Sequence, residues 1–322
     1  MASLRLRVAL RRGALIAAAN WPLVAVEFVA DSLYKAALGV PIVGGAVMVA
    51  ALLGDDLGIL LSRGLRTAAG TVVASLLGAP IAFAAFAAAV AVVALGGAIV
   101  MFLVKAGSTA VLVKGERRAP AELNTGSIRA DAMRLANQSH LEIFLDGVAA
   151  FGRRLTLLGA WLVLAYVLIF AGYFAGLLGA YRIAARAEWI SAFPLAALLA
   201  TSALVVVIAA VNLLYLLTQI IVVAEDCSVR EAARLLRTFL LHDARQVSGI
   251  FGVILIIVIV GTAASLIATA GLGLIAWVPF AGLAVLPLQA LAWFARGFVF
   301  QFIDLTALTA YLAQYRRFVE QE

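Results

Sequence analysis

Long apolar runs, separated by shorter polar segments, dominate the hydrophobic pattern of this chain. Each run is long enough to cross a bilayer as a helix, which needs about 20 residues, and none alternates like a barrel strand. We therefore predict an all-α, polytopic helical membrane protein, with residues 22–322 forming one six-span transmembrane domain. The predicted spans are roughly 22–53, 71–104, 155–180, 193–223, 246–270 and 280–315.

The segment before the first span, residues 1–21, has a different pattern. Basic and apolar residues alternate around Arg5 and Arg7, which predicts an interfacial basic amphipathic segment with its arginines toward lipid headgroups. The sequence Asn20-Trp21-Pro22 predicts a break after it, because the residue before a proline is pushed out of the α region.

Composition supports the membrane class and narrows the partners. Hydrophobic residues make up 65% of the chain and charged residues 13%, whereas a soluble protein has about 25% charged residues. The net charge is +7, and the basic residues flank the apolar runs. We therefore expect membrane lipids as partners and no nucleic acid. Cys227 is the only cysteine, which excludes an intrachain disulfide.

Basic residues are distributed unequally on the two sides of the predicted spans. The positive-inside rule predicts that both termini and the regions 105–154 and 225–245 are cytoplasmic. The basic residues on that side include Arg11, Arg12, Lys105, Lys114, Arg117, Arg118, Arg153, Arg154, Arg245, Arg316 and Arg317.

The region after span four predicts a cytoplasmic amphipathic elbow helix, and residues 127–151 predict a second one. In the helix after span four, Ser228 and Glu231 have the spacing of a capping box at the helix start. Its apolar face carries Val229, Ala232, Leu236 and Phe239, and its basic face carries Arg230, Arg234 and Arg237. Two interpretations remain open: a structural connection between spans, or a surface that recognises lipid headgroups or a partner.

Catalytic signatures are absent from the sequence. It contains no G-x-S-x-G elbow, no Walker A loop, no H-E-x-x-H and no cysteine–histidine cluster. We therefore predict a protein that is not an enzyme and has no catalytic, cofactor-binding or metal-binding residues.

Polar residues inside the spans are the remaining candidates. Asp304 lies twelve residues before Arg316 and Asn212 thirteen before Glu225, so both are predicted roughly 18–20 Å deep. Asp304 is either neutral and hydrogen-bonded to Asn212 or a backbone carbonyl, which holds helices together, or it handles protons or substrate.

Three charges in the first span have four-residue spacing: Glu27, Asp31 and Lys35. Counting about twenty residues back from Asp55 places Lys35 at the cytoplasmic boundary. Asp31 is then predicted to pair with Lys35, and Glu27 to lie among headgroups. The sequence thus predicts an interfacial charge stripe.

Three stretches carry a resemblance that covers most of the chain: VVAEDCSVREAARLLRTFL, MFLVKAGSTAVLV and FGRRLTLLGAWLV. They resemble uncharacterised bacterial six-span membrane proteins related to the membrane domain of glycerophosphoryl diester phosphodiesterases. The resemblance implies that fold and a bacterial inner-membrane location. It transfers no active site, because the phosphodiesterase catalytic domain is absent.

Two function classes follow. The first is a non-enzymatic inner-membrane protein that is lipid-associated, or an accessory subunit packing against another membrane protein or a second copy of itself. The alternative is a small secondary transporter that uses intramembrane Asp304.

Overall fold

The computed structural model describes residues 6–53, 78–124, 130–186, 191, 193–276 and 281–320. Helices and short connections, with no strand, form these ranges. The helices are α1 (Leu6–Ala19), α2 (Trp21–Leu53), α3 (Pro80–Arg118), α4 (Ala130–Ala136), α5 (Leu141–Arg186), α6 (Phe193–Ala224), α7 (Val229–Ala276) and α8 (Ala281–Val319). Five of them are long and apolar enough to cross a membrane, and six spans result if the bent α1–α2 pair counts as one. The chain is therefore a multi-pass helical membrane protein, as predicted.

The helices are longer than the predicted spans. Helix α3 continues beyond residue 104 to Arg118, and α5 already begins at Leu141. Much of region 105–154, predicted as a polar segment between spans, is therefore helical. Residues 1–5 of the predicted N-terminal segment, 71–77 of the second span and 280 of the sixth lie outside the described residues.

The predicted break at Asn20 is confirmed, because α1 and α2 meet at an angle of 79°. The Asn20 side chain is fully buried and holds the bend. Its Nδ2 donates to the carbonyls of Ile16 (2.9 Å) and Ala136 (3.0 Å), and its Oδ1 accepts from the Gln138 backbone N–H (2.8 Å).

Helix α1 is packed into the protein core, which corrects the predicted interfacial position for residues 6–19. Its buried face packs on the last turns of α8 and includes Arg12, Gly13 and Ile16. A Cβ on Gly13 would lie 2.7 Å from the Thr306 carbonyl oxygen, so only glycine permits this approach. The Thr309 hydroxyl adds a hydrogen bond of 2.9 Å to the Gly13 carbonyl.

Two compact units divide the chain. The smaller, Val29–Met101, contains parts of α2 and α3. Within it the Tyr34 hydroxyl donates to the Ala94 carbonyl at 3.2 Å, and Lys35 pairs with Asp31 at 2.5 Å. The larger unit, Met1–Phe28 with Phe102–Glu322, contains the candidate site.

Helix α8 changes its surroundings along its length. Every residue from Leu305 to Tyr315 is buried, and the Tyr315 ring packs edge-on against Phe239 of α7 at 5.4 Å between centroids. The preceding turns expose large apolar side chains, including Trp293 and Phe298. Helix α8 therefore passes from a lipid-facing segment into a core enclosed by protein.

Candidate functional site

A lysine in α3 lies between carboxylates from two other helices. The Lys105 Nζ is 2.6 Å from Glu27 Oε2 of α2 and 2.5 Å from Asp304 Oδ2 of α8. The Glu27 side chain has no exposed surface, whereas that of Asp304 is 45% exposed. We call these three residues the carboxylate–lysine triad.

The triad carries one more acid than base. With all three groups ionised its charge is −1, and an uncompensated charge away from water is costly. The buried Glu27 Oε1 accepts no hydrogen bond from a described residue, although the Ser108 hydroxyl lies close to this carboxyl group. A bound proton or a cationic group would balance the triad.

A cavity of about 420 Å³ adjoins the triad in the larger unit. Its walls come from α3, α5, α6, α7 and α8, and most of them are apolar, as at Leu213 and Ile254. Lys105 and Asp304 line it together with the polar residues Asn212, Tyr215, Gln219 and Tyr311. We call it the central cavity.

Two buried polar atoms of residues that line the central cavity have no hydrogen-bond partner among the described residues. The Gln219 Nε2 donates to Thr109 Oγ1 at 2.5 Å, but Gln219 Oε1 and the Tyr215 hydroxyl make no hydrogen bond to the residues described. Buried polar atoms without partners are rare in proteins and point to water or a ligand. The cavity thus offers hydrogen-bonding capacity beside the triad.

Asp304 and Asn212 line the same cavity, but they are not paired as one interpretation predicts. Asp304 contacts Lys105, while Asn212 accepts a hydrogen bond from the Tyr166 hydroxyl of α5. An ammonium group satisfies a carboxylate more strongly than an amide does, because both partners are charged.

The depth predicted for Asp304 stays a prediction, and two features of its surroundings bear on it. A Cβ on Gly152 of α5 would lie 2.7 Å from Leu103, which places this turn of α3 beside Arg153. Arg153, its neighbour Arg154 and Asp226 expose charge there, and exposed charges mark the edge of the hydrocarbon. The count from Arg316 includes the end of α8, where the helix is surrounded by protein.

A count from the other end of α8 leads to a similar expectation for the depth of Asp304. Asp304 lies 23 residues after Ala281, or about 35 Å at helical rise, close to the thickness of the hydrocarbon core. Counted from this end, Asp304 is expected nearer a membrane boundary than mid-bilayer; its depth stays a prediction.

Glu27 does not belong to an interfacial stripe, so that prediction is wrong for this residue. Its side chain is fully buried against Lys105. The predicted i,i+4 pair of Asp31 and Lys35 is present, with the lysine side chain 63% exposed.

Lys105 is the functional candidate that the sequence analysis missed. The predicted spans place it in the region 105–154, directly after the end of the second span. Apolar residues on both sides, in MFLVKAGSTAVLV, are the signal that a helix continues through it.

A second buried ion pair lies in the same unit. The Arg12 Nε contacts both Glu116 carboxylate oxygens, at 2.8 and 3.1 Å. Its other nitrogens donate to the carbonyls of Ala119 (3.0 Å) and Pro120 (3.1 Å), and Arg316 donates to the Glu116 carbonyl. This pair is balanced in charge and closed from solvent.

The predicted faces of the elbow helix are present at the start of α7. Ala232, Leu236 and Phe239 are buried, and the arginines at 230, 234 and 237 are exposed. The Ser228 hydroxyl accepts from the Glu231 backbone N–H at 3.3 Å. The apolar face packs on α8 of the protein and not on lipid; headgroup contact by Arg230, Arg234 and Arg237 stays a prediction.

In the described part of the chain, no group of three or more His, Cys, Asp or Glu side chains is placed to hold a metal ion. The chain matches no protein-family model, no curated protein and no solved structure. The geometry of the triad allows two kinds of chemistry: exchanging a proton or holding a cationic group.

Proposed function

We propose that this protein is a non-enzymatic, lipid-associated protein that binds an amine-bearing membrane amphiphile in the central cavity. The observation that carries the proposal is that Asp304, the exposed member of a triad with surplus negative charge, faces a largely apolar cavity. The ammonium group of the amphiphile contacts Asp304, and its hydrocarbon chain lies along the apolar walls.

Two physical arguments support this class of ligand. An ammonium group supplies the positive charge that the triad lacks, and charge-assisted hydrogen bonds are stronger than neutral ones. The inferred depth of Asp304, near a membrane boundary, is also where the polar group of a lipid lies. A cavity of about 420 Å³ falls in the usual range for small-molecule sites.

The test is native mass spectrometry of the full chain in lipid nanodiscs containing phosphatidylethanolamine or phosphatidylcholine. The wild type should retain phosphatidylethanolamine, and Asp304→Asn should lose it. Asp31→Asn, which removes an acid outside the triad, is the matched control and should retain it. Equal retention by Asp304→Asn and the wild type would contradict the proposal. A stoichiometric protein in place of lipid would favour the accessory-subunit function.

We place the protein in a bacterial inner membrane with both termini in the cytoplasm. The support is the excess of basic residues on the terminal side and the physical basis of the positive-inside rule. Labelling of introduced cysteines from each side of the membrane tests the orientation. The native thiol should contribute little background, because Cys227 is buried and burial raises the pKa of its thiol.

A second cavity favours proton-coupled secondary transport as an alternative function. It has a volume of about 550 Å³ and lies farther along the α7–α8 pair, where Gln289 and Arg296 line it. Phe300 lies between the two cavities, against Gly261 of α7 and beneath the Arg296 guanidinium at 5.6 Å. Two cavities along one helix pair could form two parts of a single path across the membrane.

Proteoliposomes with an internal pH indicator separate the two functions. A transporter should couple substrate entry to proton movement, and Asp304→Asn should abolish that coupling. An amphiphile-binding protein should show retained lipid without any proton flux.

A further inference from the structure

A crevice between α3 and α5 combines arginines with apolar walls and shares no lining residue with the central cavity. Its volume is about 820 Å³. Leu103 of α3 and Leu157 and Ala160 of α5 form an apolar part, and Arg153 and Arg154 line the crevice between this part and Ala150. Charged and apolar side chains therefore line one crevice.

The two arginines retain binding capacity. Arg153 is exposed. Arg154 donates to Asp226 at 2.6 Å, but Asp226 is 74% exposed, so water screens this pair. A guanidinium group has five N–H donors and can bind a phosphate while it keeps one carboxylate contact.

A neighbouring crevice extends the positive charge. It shares Ala150 with the first, has a volume of about 290 Å³ and is lined by Lys114, Arg117 and Asp146 among others. Across both crevices the lining includes four basic residues and one acidic residue. The local charge thus has the opposite sign to that of the triad.

The arginines also lie where the lipid-facing surface ends. Beyond them along α5, Leu157 and Trp161 are exposed, as expected for side chains in contact with lipid. Tryptophan is enriched at membrane interfaces, and basic pockets between transmembrane helices bind anionic headgroups.

We propose that this crevice binds an anionic phospholipid, with its phosphate held by Arg153 and Arg154 and an acyl chain along Leu103, Leu157 and Ala160. The site is independent of the proposed function, because it selects the opposite headgroup charge in a different cavity. The protein would then carry one specifically bound lipid close to the turn of α3 that contains Lys105.

The experiment is native mass spectrometry of the full chain titrated with phosphatidylglycerol, phosphatidylcholine or inorganic phosphate. The wild type should bind one phosphatidylglycerol at least about tenfold more tightly than phosphatidylcholine, and the double variant Arg153→Gln, Arg154→Gln should lose this preference. The double variant Arg182→Gln, Arg186→Gln removes the same charge from exposed positions at the end of α5 and should keep this preference.

Three outcomes would overturn the proposal. Equal losses in both double variants would show that only overall charge attracts the lipid. Full competition by inorganic phosphate would show an anion site that does not use the apolar walls. Retention of tight binding by Leu157→Trp, which fills the crevice, would exclude acyl-chain binding there. If the arginine variant does not fold, the Leu157→Trp measurement decides.

Discussion

Two ion clusters in the larger unit differ in their balance of acids and bases and in their exposure. Arg12 and Glu116 form a one-to-one pair whose remaining donors bind backbone carbonyls, and their side chains are 8% and 5% exposed. Lys105 serves two carboxylates at once, and one of them, Asp304, faces a cavity.

The comparison shows how a structural ion pair can be told from a candidate working one. A pair that is balanced and fully hydrogen-bonded has nothing left to offer a ligand. The triad has one more acid than base and is accessible through Asp304. The functional candidate is recognised by its unequal number of acids and bases and by a side chain that a ligand can reach. Burial alone does not identify it.

The largest expected effect comes from removing the central cation of the triad. Lys105→Leu leaves the carboxyl groups of Glu27 and Asp304 without their partner, so we expect a loss of about 3–5 kcal/mol in unfolding free energy. Thermal unfolding in detergent measures it. Adding Glu27→Gln and Asp304→Asn to Lys105→Leu should recover much of the loss; a Lys105→Leu variant as stable as the wild type would remove the triad as an energetic unit.

Arg12→Lys tests the closed pair. Lysine keeps the charge but cannot reach Glu116 and the Ala119 and Pro120 carbonyls together, so we expect a loss of about 2–3 kcal/mol. Arg7→Lys, at an exposed position of α1, should change stability by less than about 0.5 kcal/mol. Similar unfolding curves for the two variants would mean that the pair contributes charge alone.

Gly13→Ala tests whether α1 must approach α8 closely to hold Arg12 in place. The new methyl group would lie 2.7 Å from the Thr306 carbonyl oxygen, so we expect a loss of about 1–3 kcal/mol. The control is Gly249→Ala, whose methyl group would meet only the Leu6 side chain at 3.6 Å. That variant should be as stable as the wild type or more so, since alanine favours helices.

Asp304→Asn should have the smallest effect on stability and a complete effect on ligand binding. It removes the surplus charge and leaves Glu27 and Lys105 balanced, so the unfolding free energy should change by less than about 1 kcal/mol. Calorimetric unfolding alongside the lipid-retention assay checks both halves. A large destabilisation with unchanged lipid retention would make Asp304 a structural residue like Glu116.

Hydropathy predicts the helices but not how far they continue into protein. The apolar runs predict the membrane-crossing parts of α3, α6 and α8, because lipid selects apolar side chains all round a helix. The ends of α3 and α8 are packed in a protein core that accepts polar groups such as Thr109, Thr309 and Gln314. In a sequence, such polar residues are typical of loops. The second span predicted from hydropathy therefore ends just before Lys105.

The candidate site was predictable only in part. Asp304 can be singled out from the sequence because an acidic side chain within an apolar membrane segment is energetically costly and rare. Its partners lie 199 residues away at Lys105 and, through that lysine, a further 78 residues away at Glu27. No periodicity links such distant residues, so their meeting depends on tertiary structure.

The contact between Gly13 and Thr309 joins residues 296 positions apart. During synthesis α1 is made before α8, so its buried face waits for its partner until nearly the whole chain has been inserted. Closure of this contact therefore reports completed assembly: a chain interrupted before α8 would leave Arg12 and the small residues of α1 uncovered, a surface that quality-control proteases can recognise.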